Sequence, residues 1–246
     1  MSNGLEKALF VAEKVAEFAA GLPAAGEVGG KDLENRDQKQ SKEIAETGQH
    51  GAFSAERNNE LTQGYYNTEV NVEGLAPADP EKVRLVSEVV TQTPELSPYV
   101  WQGLSPEQRL SALSELEQNV ASITLRPPCE VVVEEMDGMY GYQCGDKIAL
   151  NKELLESGDF ESMKQAISTT LHEGRHAYQN FNIEDCMVEP NHELVDSWRL
   201  NYDMGYEDGD TGIFDFAQMG LKRYLTQPVE VDARVFAQSV VGNVYA

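Results

Sequence analysis

Two histidines and a glutamate stand in the run Thr169-Thr-Leu-His172-Glu173-Gly-Arg-His176-Ala-Tyr-Gln, which contains the pattern H-E-x-x-H. Four residues make slightly more than one helical turn, so on a helix both imidazoles leave the same face with Cβ atoms about 6 Å apart. At that spacing both rings can reach one zinc ion, whose bonds to nitrogen are about 2.0–2.1 Å. Glu173 sits beside them, placed to take a proton from a metal-bound water. Met163, Ile167, Thr170, Leu171 and Gly174 fall on the face such a helix would bury, and Ser168, His172, His176 and Gln179 on the polar one.

A hydrolytic zinc needs a third protein ligand and an open position for water. The extended pattern H-E-x-x-H-x-x-G-x-x-H is not continued: Gln179 stands at the Gly position and Asn182 at that of the last His. His50 lies in a polar stretch and His192 among acidic residues. The best-placed carboxylate is Glu230, in Gln227-Pro-Val-Glu-Val-Asp-Ala-Arg-Val-Phe-Ala. Pro228 starts a helix there and puts Glu230 in its first turn, while the small Ala233 and Ala237 would let that helix come close. The same glutamate would also complement the helix dipole and pair with Arg234 at i+4. On spacing alone Asp232 and the acids of residues 189–196 remain rivals.

The elements that must position these groups follow from periodicity. Residues 1–22 read as an amphipathic helix through Leu5, Leu9, Ala12, Val15, Phe18 and Ala19, and residues 23–79 as a flexible polar arm. Residues 80–246 read as the folded domain. Val83, Val86, Val89 and Val90 recur at helical spacing, and Ser105-Pro-Glu-Gln108 is a capping-box start for a helix carrying Leu110, Leu113, Leu116, Val120 and Ile123. Pro127 and Pro128 should end it. Val131-Val-Val reads as a strand, and Tyr140–Cys144, Gly145-Asp146 and Lys147–Leu150 as a hairpin, with Cys144 a small buried residue. Asn151 can cap a helix over 152–156; further helices are expected over 160–180, 193–202 and from Pro228 onward. The class is α+β, with a small, mostly antiparallel sheet packed on the helix of 160–180.

His-Glu-x-x-His followed by Glu-x-x-Ala-x-x-Phe-Ala, here His172, Glu173, His176, Glu230, Ala233, Phe236 and Ala237, resembles the gluzincin-type zincin metallopeptidases. The resemblance covers about residues 125–240 and implies a zincin-like fold, one zinc held by His172, His176 and Glu230, and peptide hydrolysis with Glu173 as base. It also implies that the segment ending Ile148-Ala-Leu-Asn151 is the edge strand along which an extended substrate lies. An oxyanion or supporting group would come from Tyr202, Tyr206, Tyr224, His192 or Arg199, a tyrosine being favoured. Several members of this wider group carry Asp where Arg234 stands; Asp232 is the nearest substitute. His-Ala-Tyr-Gln and Gln-Pro-Val-Glu-Val-Asp-Ala-Arg resemble compact bacterial zincins of toxin and effector type. That implies a protein substrate in a target cell, a secretion apparatus or an immunity protein. The competing readings are an intracellular regulatory metallopeptidase with one specific partner and a non-catalytic zincin-fold binding protein.

Composition narrows the classes. Lys+Arg 19 against Asp+Glu 42 gives a net charge of −23, which repels phosphates and anionic lipid, favours solubility foremost and leaves a basic protein or peptide open as a partner. No apolar run of about 18 residues is present, and the N-terminus lacks the layout of a cleaved signal. The expected location is therefore the cytoplasm of the producing cell, or outside it by another route. Cys129, Cys144 and Cys186 are too few and scattered for a disulfide framework. Residues 206–215 are acidic but lack calcium-loop spacing, and Trp101 and Trp198 read as packing residues.

Overall fold

A computed structural model describes residues 75–186, 188–203, 206 and 224–246. The helix expected over 1–22, residues 23–74 of the arm expected over 23–79 and most of the acidic 206–215 loop lie outside the described residues. Helix α1 (Pro80–Gln92) has Pro at its first position and buries Val83, Leu85, Val86, Val89 and Val90. It stops at Thr93, in extended backbone, because Pro94 disfavours the α conformation in the residue before it. A 3₁₀ turn (Pro94–Leu96) and the single-turn α2 (Pro98–Trp101) lead to α3 (Pro106–Thr124). At the start of α3 the Ser105 hydroxyl accepts from the Gln108 N–H and the Gln108 side chain accepts from the Ser105 N–H, closing the capping box. Leu125, at φ 58°, ends α3 two residues before Pro127.

Strands β1 (Glu130–Glu134), β2 (Gly141–Cys144) and β3 (Lys147–Asn151) form a sheet in the order β1-β3-β2. The β2–β3 hairpin is antiparallel, with Tyr142 opposite Ala149, but β1 runs parallel to β3, with Val132 opposite Ala149. The sheet is thus mixed rather than mostly antiparallel. The chain crosses from β1 to the far side of β3 before turning back, which makes β3 the central strand. It follows that Ile148–Asn151 is not an edge; β1 and β2 are. Cys144, at the end of β2, is exposed rather than buried.

Asn151 then caps α4 (Lys152–Glu156) by accepting from the Glu153 N–H at 3.1 Å, while its amide donates to the Met136 and Met139 carbonyls. Asp159 caps the long helix α5 (Phe160–Phe181), a π turn (Asn182–Cys186) follows, and α6 (His192–Asp203) and α7 (Pro228–Tyr245) complete the described elements. The core sits around α5: Met163, Ala166, Ile167 and Leu171 pack with Leu113, Leu116 and Val120 of α3, Ile148 and Leu150 of β3, and Phe236, Ala237 and Val240 of α7. Trp101 and Trp198 are both fully buried.

Two glycines record how closely α5 is approached. A Cβ on Gly141 would stand 2.6 Å from the Ala149 carbonyl and 2.8 Å from Thr169 Cγ2, so β2 lies directly against the helix. A Cβ on Gly174 would stand 3.0 Å from both Arg126 Nη2 and Glu117 Oε2. Gly174→Val should gain a few tenths of a kcal/mol in helix propensity but lose about 1–3 kcal/mol to overpacking. A net loss of stability on urea unfolding is the expected result; a variant as stable as the wild type would contradict this packing.

Candidate metal centre

His172 and His176 leave α5 on one face, their rings meeting edge to face at 4.7 Å between centroids. That face is not solvent-facing: His176 is 8 % exposed and Gln179 0 %, because α7 lies over it. Ala233 and Ala237 are buried on α7, and this short-side-chained surface permits the approach. Asn201 of α6 fixes the start of α7, donating to Gln227 Oε1 at 2.9 Å and accepting from the Val229 N–H at 3.4 Å. Glu230, in the first turn of α7 and 0 % exposed, thereby points at the two rings.

The three groups close a triangle. His172 Nε2 and His176 Nε2 are 3.1 Å apart, His172 Nε2 and Glu230 Oε2 3.4 Å, and His176 Nε2 and Glu230 Oε1 3.3 Å. A tetrahedral zinc with bonds of about 2.0–2.1 Å has ligand atoms about 3.3–3.4 Å apart, so these distances match one face of its coordination shell. Glu230 Oε2 is buried without a hydrogen bond, with Arg234 Nη2 at 3.5 Å its other charged neighbour. Two imidazoles and a carboxylate are a zinc donor set, and the orphaned oxygen is what an ion there would satisfy. Among the described residues this is the one group of three His, Cys, Asp or Glu side chains close enough to hold a metal ion.

The charges explain the electrostatics. Burial would raise the Glu230 pKa, but His176 and His172 hold it well below the usual carboxylate range. Burial would lower His176, yet Glu230 and Glu173, with the Gln179 hydrogen bond, raise it to about 9. Glu173, 8 % exposed, is raised by burial and by Glu230, against the two histidines and the Gln143 backbone N–H that donates to its carboxylate. A zinc ion bound there would have to displace the His176 proton, so its apparent affinity should rise about tenfold per pH unit up to about pH 9. A flat profile by chelator competition between pH 6 and 8 would contradict that.

The other expected residues divide. Tyr206 donates to Glu230 Oε1 at 2.6 Å, Tyr202 stacks on Tyr206 at 5.3 Å, and Tyr224 hydrogen-bonds to Glu230 and Tyr206. All three tyrosines are raised first by burial and then by Glu230, and Tyr202 and Tyr224 also by Glu173. His192 is exposed at the start of α6. Arg199 pairs with Asp196 and donates to the Ile183 carbonyl. Asp232 is not in the triangle: it holds Arg175 through Nε at 2.8 Å and Nη2 at 3.1 Å, and accepts from Gln179 at 2.7 Å. Glu189 is buried against Lys82 and Tyr178. Asp232, Glu189 and Asp196 are therefore engaged elsewhere, and Glu193 is exposed in the first turn of α6.

Sequence reasoning assigned no role to Gln143, Arg175 or Asp79, and placed Gln179 only on the polar face. Gln179 was open to inspection, because three residues after a histidine on a helix is contact distance. The others touch the site through tertiary packing. Compared with known proteins, the chain matches no family model, no curated protein and no solved structure.

Proposed function

We propose that this protein is a zinc-dependent endopeptidase with a zincin-like domain, of effector type, acting on a basic protein or peptide of a target cell. The observation that carries the reading is the triangle of His172, His176 and Glu230, with edges of 3.1–3.4 Å, beside a buried Glu173. Zinc, when bound, supplies Lewis acidity that acidifies a water and polarises the scissile carbonyl. Glu173 takes the proton from the attacking water and returns it to the leaving amine. Its raised pKa brings it closer to neutrality, where such a transfer works best. The Gln143 N–H holds the carboxylate in place from the edge strand β2, along which an extended substrate strand would lie.

Tyr206 and Tyr224 are both bonded to Glu230, whereas the Tyr202 hydroxyl feels Glu173 and Glu230 with no hydrogen bond among the described residues. Tyr202 is thus the tyrosine free to donate to a developing oxyanion. The net charge of −23 favours approach of a cationic substrate, and no described helix is long and apolar enough to cross a membrane. Elemental analysis of the wild type beside His172→Ala/His176→Ala tests the centre. Zinc bound stoichiometrically and lost in the double variant is expected. Zinc absent from both, even after addition, would remove the peptidase reading.

A further inference from the structure

We infer that Gln179 fixes which ring nitrogen of His176 carries the proton, and that Asp232, Arg175 and Asp79 hold Gln179 in the orientation that does so. The role in metal binding rests on the zinc reading above; the hydrogen-bond logic does not. Gln179 is completely buried, and its amide nitrogen lies 2.9 Å from the Val229 carbonyl and 2.7 Å from Asp232 Oδ2. The Val229 carbonyl can only accept, and Asp232 Oδ2 already accepts from Arg175 Nε, so the NH₂ end of the amide must face them. Its oxygen then faces His176 Nδ1, at 2.9 Å, and the ring nitrogen there must donate. With the proton on Nδ1, the lone pair is on Nε2, the atom that faces His172 and Glu230. The reversed amide would set its oxygen against two acceptors.

Arg175 grips the Asp232 carboxylate with two nitrogens, at 2.8 and 3.1 Å, so both contacts require its oxygens to accept. Arg175, 1 % exposed, occupies the residue just before His176 but turns away from the metal centre. Its guanidinium lies between the rings of Tyr178, Trp198 and Phe236, at 4.8, 5.2 and 5.2 Å from their centroids. Nη2 reaches Asp79 Oδ2 at 2.6 Å, and Lys82 holds the same carboxylate at 2.8 Å. A continuous chain of charged and polar contacts therefore runs from the start of α1 to the ring of His176. Outer partners of this kind orient metal-bound imidazoles and raise their basicity. Gln179, Asp232, Arg175 and Asp79 are positioning residues.

Zinc affinity of the full chain, measured by chelator competition, should fall about 10–100-fold in Gln179→Leu. Asp79→Asn keeps its shape, touches no ligand, and should lower affinity by a smaller factor. Nitrogen-15 NMR of zinc-free protein in alkaline buffer, where the ring is neutral, reads the tautomer directly. The wild type should carry the His176 proton on Nδ1, and Gln179→Leu should move it toward Nε2. A glutamine of purely structural value would change stability without moving that proton. A wild-type ring protonated on Nε2, or wild-type zinc affinity in Gln179→Leu, overturns the inference. A wild type that binds no zinc yet shows the Nδ1 tautomer supports the hydrogen-bond assignment and removes the metal reading instead.

Discussion

Glu173→Gln should keep the zinc content and unfolding midpoint of the wild type while lowering peptide hydrolysis by about 10²–10⁴-fold, the usual contribution of a positioned general base. The side chain adjoins the triangle without belonging to it, so its exchange removes no ligand. Glutamine fills the same volume and can still accept from the Gln143 N–H. It also relieves the like charge of Glu230, so stability should not fall. What glutamine cannot do is accept the proton of the attacking water at neutral pH. The measurement is cleavage of a basic peptide library with zinc determined on the same samples. Undiminished hydrolysis in Glu173→Gln would exclude this glutamate as the base, whereas loss of zinc would show that its charge helps hold the ion.

Arg126→Met should cost about 3–5 kcal/mol of stability, the price of stranding a buried charge. Glu117 is 0 % exposed on α3, and Arg126 binds both of its oxygens, at 2.7 and 2.9 Å. Without the arginine, the Cys129 N–H at 2.9 Å is the remaining hydrogen-bond donor to the Glu117 carboxylate. The double variant Glu117→Leu/Arg126→Met should recover most of the loss, since removing both charges leaves no uncompensated ion and Arg126 Nε has no partner to lose. The pair lies under Gly174, between the two histidines of α5, so it also sets the height of that helix over α3. Urea unfolding of wild type, single and double variants decides it. A single variant within about 1 kcal/mol of the wild type, or a double no better than the single, would show that the pair is not what the geometry indicates.

Helix starts were legible because their signals are local. Ser105-Pro-Glu-Gln108, Asn151 and Pro228 each act within one turn, and each opens a helix in the structure. The hairpin was legible from Gly145-Asp146 between two alternating runs. The partner of β3 on its other side was not, because a parallel neighbour follows from how the chain crosses the sheet and leaves no local pattern. The same blindness misplaced the edge strand and the burial of Cys144. Periodicity separated the apolar face of α5 from the polar one, but a polar face can turn inward under another helix, as Gln179 and His176 do under α7.

The sequence by itself determined the chemistry available to this protein: H-E-x-x-H on a helix fixes two imidazoles and a carboxylate relative to one another, because i and i+4 are neighbours on any α-helix. The glutamate in the first turn of a second, proline-started helix was also visible, but only as one carboxylate among several. Tertiary structure decided among them. Asp232 and Glu189 are drawn into ion pairs with Arg175 and Lys82, and Glu230 alone of the three is left facing the rings. That choice depends on how α7 crosses α5 and on where Asp79, more than 90 residues before Arg175, enters the fold. Contacts between residues so far apart in the chain carry no periodic signal, and packing alone sets them.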